Sequence, residues 1–153
     1  MDQDEVVNQL PPSINNPGPP LSPSDERTWA MLAHLSVLLN LVTGFLGIIT
    51  ALVIYLVYKN RSRYVAYQSM QAFVFQLILW FGGGILAGLS WIVTGISSVV
   101  LIGLLCIPLA CVISLLPLAA MVYGVIGAIR CNNGQDFKYW LIGDWVRGEL
   151  TRP

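Results

Sequence analysis

His34 is the single imidazole of the chain and lies inside an apolar stretch, where a buried ring could relay or sense a proton near neutral pH. The apolar stretches hold no Asp or Glu to serve as its partner, so a neutral ring hydrogen-bonded between helices is the expected state. Ser90 occurs in GLSW, which lacks the second glycine of the GxSG found in some intramembrane serine proteases. No intramembrane aspartate pair exists for an aspartyl mechanism. Metal ligation needs several His, Cys, Asp or Glu side chains converging, and the apolar segments supply only His34, Cys106 and Cys111. With Cys131 the cysteines are odd in number, and the first two act as small hydrophobes. No catalytic residue, metal ligand or cofactor is assigned, and the chain reads as a non-enzyme.

The polar groups that remain inside apolar sequence are amides. Gln68, Gln71 and Gln76 lie in QSMQAFVFQ. At 100 degrees per residue they share a broad helical face with Ala72, Phe75, Leu79, Gly82 and Gly83. Amides facing lipid would go unsatisfied, so this face is expected to point into a bundle. There, with His34 and Asn40, it forms a polar seam. Gly84 and Gly88 make a GxxxG pair, and Ala120, Gly124 and Ala128 repeat a small residue every fourth position. These two faces are expected to pack closely on one another.

The elements that position these groups follow from where charge is missing. Hydrophobic residues make up 56% of the chain, charged residues only 10%, and mean hydropathy is +0.69, which excludes an ordinary soluble domain. No formal charge lies between Thr28 and Tyr58 or between Tyr64 and Ile129. Both runs exceed the roughly 20 residues that cross a bilayer core. Net charge is zero, and the cations are too scattered for a nucleic-acid footprint.

Residues 1–24 carry prolines among Asn, Ser and Gly and read as a disordered, partly polyproline tail without a cleavable signal pattern. Ser24, Asp25 and Glu26 look like a helix start. Asn40, Thr43, Gly44 and Gly47 interrupt the next apolar run, predicting two short helices, Trp29–Leu41 and Phe45–Tyr58, paired as a hairpin. One tilted helix is the alternative. A third helix is expected over Arg63–Gly88. A far-side turn should fall between Ile92 and Ile107, and a last helix should end at Arg130, with Pro108 in its first turn and Pro117 as a kink. The aromatic-rich ending suggests an interfacial helix over Phe137–Val146. The expected fold is thus an all-α membrane protein of about four membrane helices plus that interfacial helix. Its parts are a tail (1–24), a multi-pass domain (25–131) and a cytoplasmic segment (132–153).

Lys59, Arg61 and Arg63 on one side, and Arg130 with Lys138 on the other, flank the long uncharged run, so the positive-inside rule places both segments in the cytoplasm. A hairpin before Lys59 would return the amino terminus there too, giving a plasma-membrane protein with both termini inside. The expected partners are the lipid bilayer and other membrane proteins or further copies, with no nucleic acid. Two function classes follow: a non-enzymatic scaffold, assembly factor or subunit of a membrane complex, and a passive transport element acting as an oligomer.

Four segments, RTWAMLAHLSVLLN (27–40), YLVYKNRSRYV (55–65), QSMQAFVFQ (68–76) and GAIRCNNGQDFKYWLIGD (127–144), resemble a known group. They are similar to the small bacterial membrane proteins related to the Tic-twenty subunit of the chloroplast inner-envelope import machinery. That resemblance implies a four-helix membrane domain with both termini cytoplasmic and a place in a membrane complex, possible protein translocation included.

Overall fold

The computed structural model describes residues 19–151; the tail expected over 1–24 lies, as far as residue 18, outside the described residues. Helix α1 (Pro23–Leu35) is capped by Ser22 and not by Ser24. The Ser22 hydroxyl accepts the Asp25 N–H at 3.2 Å, and Pro23 takes the first helical position, where its missing N–H costs nothing. A 3-10 turn (Ser36–Leu38) leads into α2 (Leu39–Thr43), and the chain reverses at Gly44 with φ 81°, a conformation glycine adopts at little cost. Helix α3 (Leu46–Tyr58) then runs back alongside. Gly47 permits that approach, since a Cβ there would collide with the Ser36 carbonyl and the Asn40 amide.

The hydroxyl of Ser62 caps α4 (Arg63–Gln76) by accepting the Val65 N–H at 3.1 Å. It also donates to the Glu26 carboxylate, tying the starts of α1 and α4 together. A π-helical stretch (Leu77–Gly82) continues into α5 (Gly83–Ser97). The far turn comes at Ser98–Leu101, where Leu101 has a φ of 64°. Helix α6 (Ile102–Ser114) returns and, after a break at Leu115, becomes α7 (Leu116–Asn132). A non-helical strap over 135–139 precedes α8 (Gly143–Thr151). The described residues contain no strand.

Two continuous helical segments, Arg63–Val100 and Ile102–Asn132, are long and apolar enough to cross a membrane, with Leu46–Tyr58 as a shorter apolar helix. At one end α1 packs on α4 and α7, and α3 packs on α4. Beyond that bundle α5 and α6 pack on each other and present Ile92, Ile96, Leu105 and Leu109 outward. Every charged side chain among the described residues belongs to the bundle end.

Several expectations are corrected. Gly84 and Gly88 are exposed, with nothing near them, and do not pack on Ala120, Gly124 and Ala128. The antiparallel register set by the turn at Ser98–Leu101 brings Gly83 beside Leu116 and Pro117, leaving the lower part of α7 level with α1 and α4. The π-helical stretch also shifts the phase of the helix beyond Gln76, because an i→i+5 turn holds more residues than the 100 degrees per residue assumed. Helix α5 runs past Gly88, and the chain first breaks at Ser98–Leu101. The proline roles are exchanged, with Pro108 inside α6 and Pro117 in the first turn of α7. Finally, 137–142 is not helical. In a helix Phe137 and Tyr139 would point some 200 degrees apart; here both are buried, and Asp136 and Lys138 are exposed.

The close contact of α7 is with the end of α1 and the 3-10 turn after it: a Cβ on Gly124 would lie 2.8 Å from Val37 Cγ1 and 3.4 Å from the His34 carbonyl. Gly124→Leu should therefore cost about 1–3 kcal/mol through overpacking, read as a lowered melting temperature in mild detergent. Gly88→Leu should leave melting unchanged. Equal effects of the two substitutions would contradict this packing.

Candidate functional site

Helix α4 carries Gln68 and Gln71 one turn apart, so both amides reach the strap that follows α7. The Phe137 carbonyl accepts from Gln68 Nε2 at 3.1 Å and from Gln71 Nε2 at 2.8 Å. The Tyr139 N–H donates to Gln71 Oε1 at 3.1 Å. Gln68 Oε1 accepts from Gln71 Nε2 and from His34 Nε2, both at 3.0 Å. Since an amide oxygen only accepts, the His34 proton sits on Nε2, and the Tyr139 hydroxyl donates to Nδ1 at 3.0 Å. All of these side chains are fully or almost fully buried.

Aromatic rings close the arrangement. Tyr139 stacks on Phe75 with centroids 3.8 Å apart, and Tyr123 meets Phe75, Phe137 and Tyr139 edge-on. Such pairs add about 0.5–1.5 kcal/mol each beyond burial. Gly127 makes room for the strap, because a Cβ there would lie 2.8 Å from the Phe137 ring and 3.1 Å from His34 Nδ1. Burial pushes the Tyr139 phenol well above its ordinary range, so it stays protonated and able to donate.

A second network holds the hairpin. Asn40 Nδ2 donates to Gln76 Oε1 at 3.1 Å, and Asn40 Oδ1 accepts the Gly47 N–H at 2.8 Å. Gln76 Nε2 donates to Ser36 Oγ at 2.9 Å. At the rim, Gln68 Nε2 also donates to Asp136 at 3.0 Å, and Asp136 pairs with Arg147, whose guanidinium lies 4.6 Å from the Tyr67 ring centre. The Arg147 pKa is raised, chiefly by its hydrogen bond to Asp136. Among the described residues no buried side-chain N or O lacks a partner, and no group of three or more His, Cys, Asp or Glu converges.

The model of the MamF/MmsF family, the magnetosome magnetite crystal formation protein family, matches residues 25–146. The chain belongs to the MamF/MmsF family. No curated protein and no solved structure matches it. The resemblance to the Tic-twenty relatives is thereby overturned. Its segments, a basic turn between apolar helices and glutamines one turn apart, are what a small bundle with a buried amide seam requires, so they do not separate one family from another. The matched stretch of MamF/MmsF runs from the first turn of α1 to the start of α8 and contains both seam and strap.

The structure divides the five seam residues between the two networks: His34, Gln68 and Gln71 in one, Asn40 and Gln76 in the other. Ala120, Gly124 and Ala128 are buried in α7. Lys59, Arg61, Arg63 and Arg130 lie at the bundle end, Arg61 donating to the Pro19 carbonyl at 3.1 Å. Tyr139, Phe137 and Ser36 went unassigned in sequence reading. For the two aromatics the signal was their alternation with charged Asp136 and Lys138, a period of two; Ser36 carries none.

Gln71→Leu should leave the Tyr139 N–H without its partner and the Phe137 carbonyl with Gln68 alone, costing about 1–3 kcal/mol. Chemical denaturation in detergent should register the loss, and Gln135→Leu, at an exposed position, should not. An unchanged midpoint for Gln71→Leu would contradict the network.

Proposed function

We propose that this chain is a non-enzymatic scaffold of the magnetosome membrane that takes part in magnetite crystal formation by holding other membrane proteins, or further copies of itself, in place. The observation that carries this reading is the family match over a fold whose interior polar groups are consumed by one another. A passive conduit would need polar groups free to meet a passing solute, and here His34 and the three glutamines bond to neighbouring helices and to the strap. The outward apolar faces of α5 and α6 suit lipid and partner helices.

In this reading residues 25–131 are the membrane domain, and 132–153 close its cytoplasmic end. The α5–α6 hairpin crosses fully. The first hairpin enters without crossing, which replaces four full spans by two plus a re-entrant element. Support comes from its length, as the 13 residues of α3 rise only about 20 Å against a core of about 30 Å. Its tip is apolar, with Val42 88% exposed. The backbone there is internally bonded, as non-helical chain at membrane depth requires: Gly44 N–H to the Asn40 carbonyl at 2.8 Å, Leu46 N–H to Thr43 Oγ1 at 3.1 Å, and Trp80 Nε1 to the Gly44 carbonyl at 2.6 Å. Both termini then share the side of Lys59, Arg61, Arg63 and Arg130, the cytoplasm.

Single cysteines at Val42, Ser98 and Asn132, with the three native cysteines replaced, should separate the topologies. An impermeant thiol reagent should reach Ser98→Cys from the side opposite Asn132→Cys, and Val42→Cys from neither. Labelling of Val42→Cys from the Ser98 side would mean a full crossing. Cells lacking the chain should form altered or fewer magnetite crystals, with a changed set of proteins in the vesicle membrane. Unaltered crystals and an unaltered protein set would overturn the scaffold.

A further inference from the structure

At the charged end, where α3 meets α4 and α8, a cleft of about 500 Å³ opens. Lys59, Arg63 and Arg147 line it with Asp136, Tyr55 and Tyr67. Three cations face one carboxylate, and that carboxylate is already bonded to Arg147 and Gln68. Among the described residues no carboxylate lies within ion-pairing distance of Lys59 or Arg63; the Lys59 ammonium instead lies 5.9 Å from the Tyr55 ring centre. The cleft therefore keeps a net positive charge. Folding has brought its cations together from two distant stretches of sequence.

A second cleft of about 230 Å³ adjoins the first and shares Tyr55 and Leu150 with it. Its other walls are Met70, Trp145 and Val146, with the Glu149 carboxylate among its lining. Glu149 has an interaction of its own within the protein. One compartment is thus cationic and phenolic, the next mostly apolar, and both sit where the exposed apolar surface of α3 at Val53, Leu56 and Val57 begins. In the membrane placement proposed above that is headgroup depth, where basic pockets between membrane helices take anionic lipid headgroups.

We propose that the double cleft binds one anionic phospholipid, its phosphate held by Lys59 and Arg63 beside Arg147 and the start of its acyl chain against Met70 and Trp145. A phosphate is the chemistry that two unpaired cations and a guanidinium recognise. The apolar compartment favours a lipid phosphate over a free one, because inorganic phosphate would leave that compartment empty. The site lies outside the sealed seam and does not depend on the scaffold reading.

The test uses the full chain in mild neutral detergent, where membrane orientation has no bearing on the result. Binding is read by native mass spectrometry and by the shift in melting temperature on adding phosphatidylglycerol, phosphatidylcholine or inorganic phosphate. Phosphatidylglycerol should bind and raise the melting temperature more than phosphatidylcholine. The double variant Lys59→Gln/Arg63→Gln should weaken it about tenfold or more. Leu150→Asp, which changes the shared wall without touching the basic turn, should weaken it as well. Lys138→Gln, whose ammonium is engaged with Asp144 at 2.8 Å outside the cleft, should not. Equal affinity for the two lipids would overturn the proposal, as would retained binding in either cleft variant or a comparable loss in Lys138→Gln. Inorganic phosphate binding as tightly as the lipid would overturn the lipid and leave a free-anion site. Should the double variant fail to fold, Leu150→Asp and the comparison of the two lipids on the parent chain still decide.

Discussion

The Phe137 carbonyl, held by two glutamine amides from α4, is the contact on which the rest of this structure depends. A buried amide without a partner costs about 1–3 kcal/mol, and more in hydrocarbon than beside water. Gln68 and Gln71 can lie inside the bundle only because the strap offers a carbonyl and an N–H at the right height. The strap in turn holds its non-helical course because those amides replace the backbone partners that a helix would have supplied. His34 joins the two through Gln68 and Tyr139. One set of bonds thus fixes α1, α4 and the segment after α7 together.

From that closure the distribution of functions along the molecule follows. The bundle end holds every described charge, the capped starts of α1 and α4, and the cationic cleft, whereas the α5–α6 end is uncharged and apolar outside. Ser62 serves the same end, capping α4 while bonding Glu26 of α1. Among the described residues, charge is thus confined to one end of the molecule and exposed apolar surface dominates the other.

Much of this was legible in the sequence, for physical reasons that differ by element. The long uncharged runs announce apolar helices because hydrocarbon tolerates so few charges, and the amides of QSMQAFVFQ announce a buried face because they cannot face lipid. Asn40, Gly44 and Gly47 mark a reversal, since φ at Gly44 and the space at Gly47 admit little else. Register was not legible. Whether Gly83 or Gly88 meets its partner depends on where the far turn falls and on a π-helical stretch that no residue type at Leu77–Gly82 declares. The strap is masked by aromatic density, against which the two-residue alternation of Phe137 and Tyr139 is a short signal. The family, too, lay beyond the motifs, since a basic turn and paired glutamines report packing needs and not descent.

Hydrogen exchange at the Tyr139 amide, measured on the intact chain in lipid nanodiscs, tests the central claim most directly. With its N–H on Gln71 Oε1 beneath stacked rings, that amide should exchange as slowly as the buried amides of α4 and α7, although it lies outside any helix. Exchange as fast as at Gly134, in the turn before the strap, would mean that the strap does not close the seam.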